Sequence, residues 1–257
     1  MTVADTTSPW IRQFAPSPEA SSRLVCFPHA GGSASYFSPL TRMLPSAVEM
    51  LCVQYPGRQD RRHEPCCDSV SELADHAAQA LRPWADRPLV LFGHSLGATV
   101  AFEVARRLER EGIRPLGLVA SGRRAPSRHR EEFHHLSDDE QLLAQLRNLS
   151  GTESRVLGDE EIMRMVLPAL RADYKAVETY RASPGAEVGC PVVALTGDDD
   201  PLTGVEEVYA WNEHTRGPCT VHRFAGGHFF LTPHAAEVTS LIAEYIAKWL
   251  ASPPTAQ

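Results

Sequence analysis

Ser95 stands in Gly93-His94-Ser95-Leu96-Gly97, directly after the apolar run Pro88-Leu89-Val90-Leu91-Phe92 and directly before the helix-like Ala98-Thr99-Val100-Ala101-Phe102-Glu103-Val104. A serine hydroxyl is a weak nucleophile unless it is held exposed beside a base. A strand, a sharp turn and a helix in that order provide the exposure. The turn lifts the hydroxyl above the sheet, and the flanking glycines let strand and helix approach. The helix N-terminus then aims unpaired N–H groups and a positive dipole end at the reacting atoms. The segment reads as a nucleophile elbow, and its chemistry is acyl transfer through a serine ester.

Such a serine needs a base, an acid that orients the base, and N–H donors for the oxyanion. After an elbow of this kind the expected chain order is serine, acid, histidine. Past the apolar run Pro191–Thr196, the turn Gly197-Asp198-Asp199-Asp200-Pro201 offers three aspartates. Asp200 is the expected acid, because a residue before proline is held out of the α region and its direction is fixed; Asp198 is the second choice. His228, in Ala225-Gly226-Gly227-His228-Phe229-Phe230, is the expected base, whereas His222 falls inside a strand pattern and reads as structural. Leu96, the residue after the nucleophile, should supply one oxyanion N–H. Ala30, in the glycine-rich Pro28-His29-Ala30-Gly31-Gly32-Ser33, should supply the other. His29 and His94 read as residues that shape their turns.

The elements that must position these groups alternate along the chain. Strands are predicted at Arg23–Phe27, Glu49–Gln54, Leu89–Phe92, Leu116–Ala120, Val192–Thr196 and Thr220–Phe224, several of them continuous apolar runs. Helices are predicted from near Tyr36, over about Ser69 to Trp84, and at the C-terminus through Val238, Leu241, Ile242, Tyr245 and Trp249. This alternation predicts a mostly parallel central sheet flanked by helices, and with the serine elbow it points to an α/β-hydrolase. Residues 1–122 and 187–257 would form the core. Residues 123–186 show no strand pattern and would be a helical lid insertion. Within it, Ser137-Asp138-Asp139-Glu140 reads as a capping box opening a helix through Leu142, Leu143, Leu146 and Leu149. A second helical stretch, Glu160 to Tyr180, is expected to break or kink at Pro168. Its residues Ile162, Met163, Met165, Val166, Leu167, Leu170 and Tyr174 make it apolar on more than one side.

Composition narrows the partners. The chain has 257 residues, 43% of them hydrophobic, and a net charge of −7, which argues against nucleic acid. No apolar run is long enough to span a bilayer, and the N-terminus shows no secretory pattern. The six cysteines do not form a disulfide framework, so a cytoplasmic protein with reduced thiols is expected. No Cys/His spacing resembles a zinc site. Cys66-Cys67 and His134-His135 read as surface or loop residues.

Five segments together resemble the type II thioesterases of polyketide and nonribosomal peptide assembly lines. They are Phe27-Pro28-His29-Ala30-Gly31-Gly32-Ser33, Val53-Gln54-Tyr55-Pro56-Gly57-Arg58, Gly93–Ala98, Leu195–Pro201 and Gly226–Phe230, and Leu170-Arg171-Ala172-Asp173-Tyr174 fits as well. The resemblance covers nearly the whole chain. It implies a free-standing editing enzyme that hydrolyses acyl or aminoacyl groups from the phosphopantetheine thiol of an acyl or peptidyl carrier protein. It implies Ser95, Asp200 and His228 as the triad, Ala30 and Leu96 as oxyanion donors, and no metal or organic cofactor. A monomer is expected, with small acyl thioesters as further substrates. The arginine-rich loops Gly57–Arg62 and Arg123–Arg130 follow strands, and such loops can steer an acidic, phosphate-bearing carrier. Three other readings remain. One is an esterase or acyl-CoA thioesterase acting on small free substrates, which shares every site residue. Another is a chain-terminating domain of a larger synthase; the short polar N-terminus and C-terminal helix favour a free-standing protein. The third is a non-catalytic binding protein, whose mark would be a missing triad residue.

Overall fold

The computed structural model describes residues 8–150 and 160–252. Seven strands form one sheet in the order β1-β3-β2-β4-β5-β6-β7. They are β1 (Ile11–Arg12), β2 (Ser22–Phe27), β3 (Val48–Val53), β4 (Leu89–His94), β5 (Gly117–Ser121), β6 (Val192–Gly197) and β7 (Cys219–Phe224). All pairings are parallel except that of the short edge strand β1 with β3. Six strands lie within one or two residues of the sequence expectation. β1 was not expected: two residues are too few to show a period.

The apolar runs are continuous because alternate residues feed different layers. Val25, Phe27, Leu51, Leu91, Leu118 and Ala194 point into one core, shared with α1 (Val70–Leu81) and α2 (Leu96–Arg110). Leu24, Cys26, Met50, Phe92, Val119 and Val193 point into the other. That second layer is closed by α6 (Ala235–Ala251), which follows the short α5 (Val205–Tyr209) in the chain, and by the 3₁₀ segment Ala34–Arg42, which stands where a helix from near Tyr36 was expected. Ser69 caps α1, its hydroxyl accepting from the Glu72 N–H at 3.2 Å.

Between β5 and β6 the described residues form only helices and loops, chiefly α3 (Asp139–Ser150) and α4 (Glu160–Thr179). Two local expectations fail here, the second in part. The cap of α3 is Asp138, not Ser137: Asp138 Oδ1 accepts from the Gln141 N–H at 2.8 Å. The Ser137 carbonyl is held instead by Arg171 at 2.6 Å. Of the break or kink expected at Pro168, the break does not occur: α4 runs through it, and the proline lies on the exposed side of the helix, where water can satisfy a carbonyl left without its donor. Leu142, Leu167, Leu170 and Tyr174 form a small third core against Ala30. The side chains of Leu146, Ile162 and Met163 lie outside the described residues.

Gly117 on β5 sets the seat of α6. A Cβ there would lie 2.3–2.6 Å from three ring atoms of Trp249. A rigid ring at that distance has to move, and α6 with it. Gly117→Ala should therefore destabilise the protein by about 1–3 kcal/mol. Trp249→Leu in the same chain should remove most of that penalty. Urea unfolding of the double-mutant cycle measures it, and simple additivity would show that Trp249 is not the obstacle.

Candidate active site

Ser95 sits at the end of β4 with φ 56° and ψ −119°, outside the regions favoured by residues with a Cβ. The backbone is held there by close packing. A Cβ on Gly93 would lie 2.1 Å from the Gly97 oxygen, and one on Gly97 would lie 2.0 Å from the Phe27 oxygen. The Ser95 N–H donates to the Ser121 carbonyl at 2.8 Å, which ties the turn to β5. The two glycines of the motif are thus required by the contact of α2 with β2 and β4.

The expected triad residues come together from three loops. His228 Nε2 lies 3.0 Å from Ser95 Oγ, and His228 Nδ1 lies 2.9 Å from Asp200 Oδ2. All three residues are buried, with the Asp200 side chain fully enclosed. Asp200 Oδ1 also accepts from the Leu202 N–H at 2.9 Å, which fixes the carboxylate. With Nδ1–H held by the carboxylate, Nε2 is left as the acceptor that faces the serine hydroxyl. Asp198 instead pairs with Arg223 on the exposed side of β7. His222 is structural, with Nε2 2.8 Å from the Tyr245 hydroxyl. Leu96 is the first residue of α2, and Ala30 lines the cleft that opens over Ser95. Among the described residues no protein group accepts either N–H.

Two further histidines wall the site. The His94 ring lies 5.1 Å from that of His228, with its Nδ1 3.0 Å from Ser121 Oγ. His29 stacks edge-on to Tyr36 and Phe229. Burial, then the neighbouring His228, pushes His29 down to about 3 and His94 well below its ordinary value. Both stay neutral.

The rest of the cleft was less legible. Arg123, Glu132, His134 and Glu178 make one end of it polar. Burial, followed by repulsion from Arg124, lowers Arg123 to about 10. The His134-His135 pair is more than a surface turn: Glu178 accepts both of its backbone N–H groups at 3.0 and 3.1 Å and pairs with the His135 ring. Cys67 also departs from expectation, since it is buried in the core beside α1. Its sulfur, Glu72 and His76 offer ligand atoms within 4.8 Å of one another. Burial, followed by Glu72, pushes that thiol up to about 12.

The arginine-rich loops are the main correction. Arg58 and Arg61 are buried, and Arg58 forms a two-pronged bond to Asp173 on α4 at 2.7 and 3.0 Å. Arg61 pairs with Glu64. Arg124, Arg128 and Arg130 pair with Glu132, Glu213 and Glu207. Acids from later in the chain pair with five of the seven arginines that read in sequence as a free positive patch. The partners of Arg58, Arg128 and Arg130 lie 77 to 115 residues away, where no local pattern announces them, whereas Glu64 and Glu132 lie within eight residues of theirs.

The neutral histidines predict a pH effect. An unfolded His29 or His94 takes up a proton below about 6.5, whereas the folded one does not. The unfolded state then binds more protons, so stability falls as pH falls below about 6.5, and for His29 down to about 3. Each group adds up to about 1.4 kcal/mol per pH unit. His29→Gln should flatten the acid limb of a plot of unfolding free energy against pH, and an unchanged slope would contradict the assignment.

Residues 22–249 match the thioesterase-domain family. The chain is 54% identical over 239 residues to the thioesterase PikA5 of Streptomyces venezuelae, covering 92% of this chain and 85% of that protein. It is 49% identical over 252 residues to a probable cadicidin biosynthesis thioesterase of Streptomyces griseus, covering 98% of this chain and 70% of that one. The solved structure of BorB, a type II thioesterase from the borrelidin biosynthetic cluster, superposes with a TM-score of 0.88 at 49% identity, covering 95% of this chain and 99% of BorB. With the elbow, the parallel sheet and these likenesses together, the chain belongs to the thioesterase family, hydrolases of thioesters on the α/β-hydrolase fold.

Proposed function

We propose that the protein removes acyl or aminoacyl groups from the phosphopantetheine arm of acyl or peptidyl carrier proteins, returning stalled modules of a polyketide or nonribosomal peptide assembly line to use. The observation that carries this reading is the hydrogen-bonded series Ser95, His228, Asp200 beneath a cleft open to solvent, in a chain of this family. BorB, a type II thioesterase of a biosynthetic cluster, and YbtT, a type II thioesterase of an NRPS/PKS pathway, support the substrate class.

His228 Nε2 accepts the Ser95 proton as Oγ attacks the thioester carbonyl. The N–H groups of Leu96 and Ala30 receive the oxyanion. The tetrahedral intermediate collapses, the C–S bond breaks, and the imidazolium returns its proton to the departing sulfur. Water, deprotonated by the same nitrogen, attacks the acyl-serine; the bond from the carbonyl carbon to Oγ breaks, Oγ takes the proton back from the imidazolium, and the acid leaves. Asp200 holds the tautomer and stabilises the imidazolium. Helices α3 and α4, with the loops around them, act as a lid whose inner side forms the acyl pocket. The enzyme works as a cytoplasmic monomer.

Intact mass of a propionyl-loaded carrier protein, incubated with enzyme, tests this directly. Wild type should strip the acyl mass, and Ser95→Ala should leave it. Asp200→Asn should cut kcat by about 10⁴, the scale seen when a triad carboxylate is replaced by its amide. A carrier that stays loaded while a small free ester is cleaved would replace this reading with the esterase one.

A further inference from the structure

The loop that carries Ala30 is gripped from outside the sheet. Gly31, the next residue, has φ +73° and donates its N–H to Asp173 Oδ2 at 2.7 Å. Asp173 lies on α4, and its side chain is fully buried. Arg58, which holds that carboxylate with both prongs, also donates to the Gly32 carbonyl at 3.1 Å and the Pro56 carbonyl at 3.2 Å. Leu170, one turn earlier on α4, fills the remaining side: a Cβ on Gly31 would lie 2.9 Å from Leu170 Cδ1. One carboxylate therefore fixes the N–H just after Ala30, and one guanidinium fixes the Gly32 carbonyl.

The charges are arranged for a site that must accept an anion. A lone carboxylate one peptide away from Ala30 would oppose the negative charge developing on the substrate. The two-pronged guanidinium cancels most of that field and leaves the carboxylate oxygen as a strong, directional acceptor. Preorganised N–H donors stabilise an oxyanion only while their direction is held through the reaction. An apolar contact would keep α4 on the core, but it would not aim a peptide.

We propose that Asp173, neutralised by Arg58, is a positioning residue for the Ala30 N–H. Helix α4 is then part of the apparatus that stabilises the oxyanion as well as a cover over the cleft. This rests on Ala30 acting as an oxyanion donor in the proposed function. It also accounts for three glycine-, arginine- and aspartate-bearing motifs, far apart in the chain, converging on one peptide.

Three variants test it: Asp173→Asn, Arg58→Lys, and the double replacement Asp173→Leu with Arg58→Met. The readouts are thermal unfolding, kcat and KM for a propionyl N-acetylcysteamine thioester, and the rate at which a fluorophosphonate modifies Ser95. Asp173→Asn should lower kcat about 10- to 100-fold, with KM within about threefold and phosphonylation slowed in parallel, because both reactions place charge in the oxyanion hole. Arg58→Lys keeps the charge but loses the fork, and should fall between wild type and Asp173→Asn. The double variant removes both buried charges, so it should unfold near wild type yet remain slow, since nothing accepts the Gly31 N–H. A folded double variant with wild-type kcat and phosphonylation rate overturns the inference, as does a loss confined to KM in Asp173→Asn. A wild-type protein that neither cleaves the thioester nor reacts with the fluorophosphonate overturns the proposed function, and this inference with it.

Discussion

The first turn of α2 is pressed against the ends of β2 and β4 with no room for a side chain at Gly93 or Gly97, and the site follows from that contact. The parallel register aligns the strand ends: Phe27 opposite Gly93, His94 opposite Ser121, Gly197 opposite Phe224. The loops that begin past those ends rise on one edge of the sheet, where ligands of open parallel sheets gather. Ser95 comes from the loop after β4, Ala30 from that after β2, Asp200 from that after β6 and His228 from that after β7. If α2 moved outward, the strained backbone at Ser95 would relax and the Leu96 N–H would turn away.

The rings packed beside His228 are uncharged. His29 and His94 surround it as uncharged rings, and Phe229 packs beside it at 5.2 Å. An imidazolium forming on His228 would be opposed by a second cation at ring-stacking distance. Neutral histidines can fill the same space, and His94 bonds Ser121 Oγ without adding charge. The burial that makes these histidines hard to protonate thus leaves Asp200 as the charged side chain bonded to the His228 ring.

The sheet was legible because strands buried on both faces read as continuous apolar runs, and Asp200 was legible because a proline follows it. The departures are of another kind. Ser137 and Asp138 are both good caps, and the choice was made by Arg171, which holds the Ser137 carbonyl from α4. Pro168 breaks a helix only where its missing donor matters, and burial is not written in the local sequence. The arginine loops read as a basic surface because charge is visible in sequence and pairing is not. Asp173 and Arg58 belong to motifs quoted for their resemblance, but the separation of 115 residues concealed that they touch.

Two buried ion pairs show what such pairs are for in this fold. Arg23 and Glu49 face each other across the β2–β3 register at 2.9 Å, near the strand beginnings and away from the cleft. Arg58 and Asp173 join the cleft end of the sheet to α4. Moving both charges out of water is costly, and well-packed apolar side chains often serve stability as well or better. Stability is therefore a poor reason for either pair. The Arg23 pair sits where only register is at stake, and its guanidinium also caps the Trp84 carbonyl at 2.6 Å. The Arg58 pair sits where a peptide N–H must point in one direction while the charge around it stays near zero. A neutral acceptor would meet the second condition with a weaker bond, and a lone carboxylate would meet only the first. A carboxylate clasped by a guanidinium meets both, and of the two pairs it is the one bonded to the loop beside Ser95.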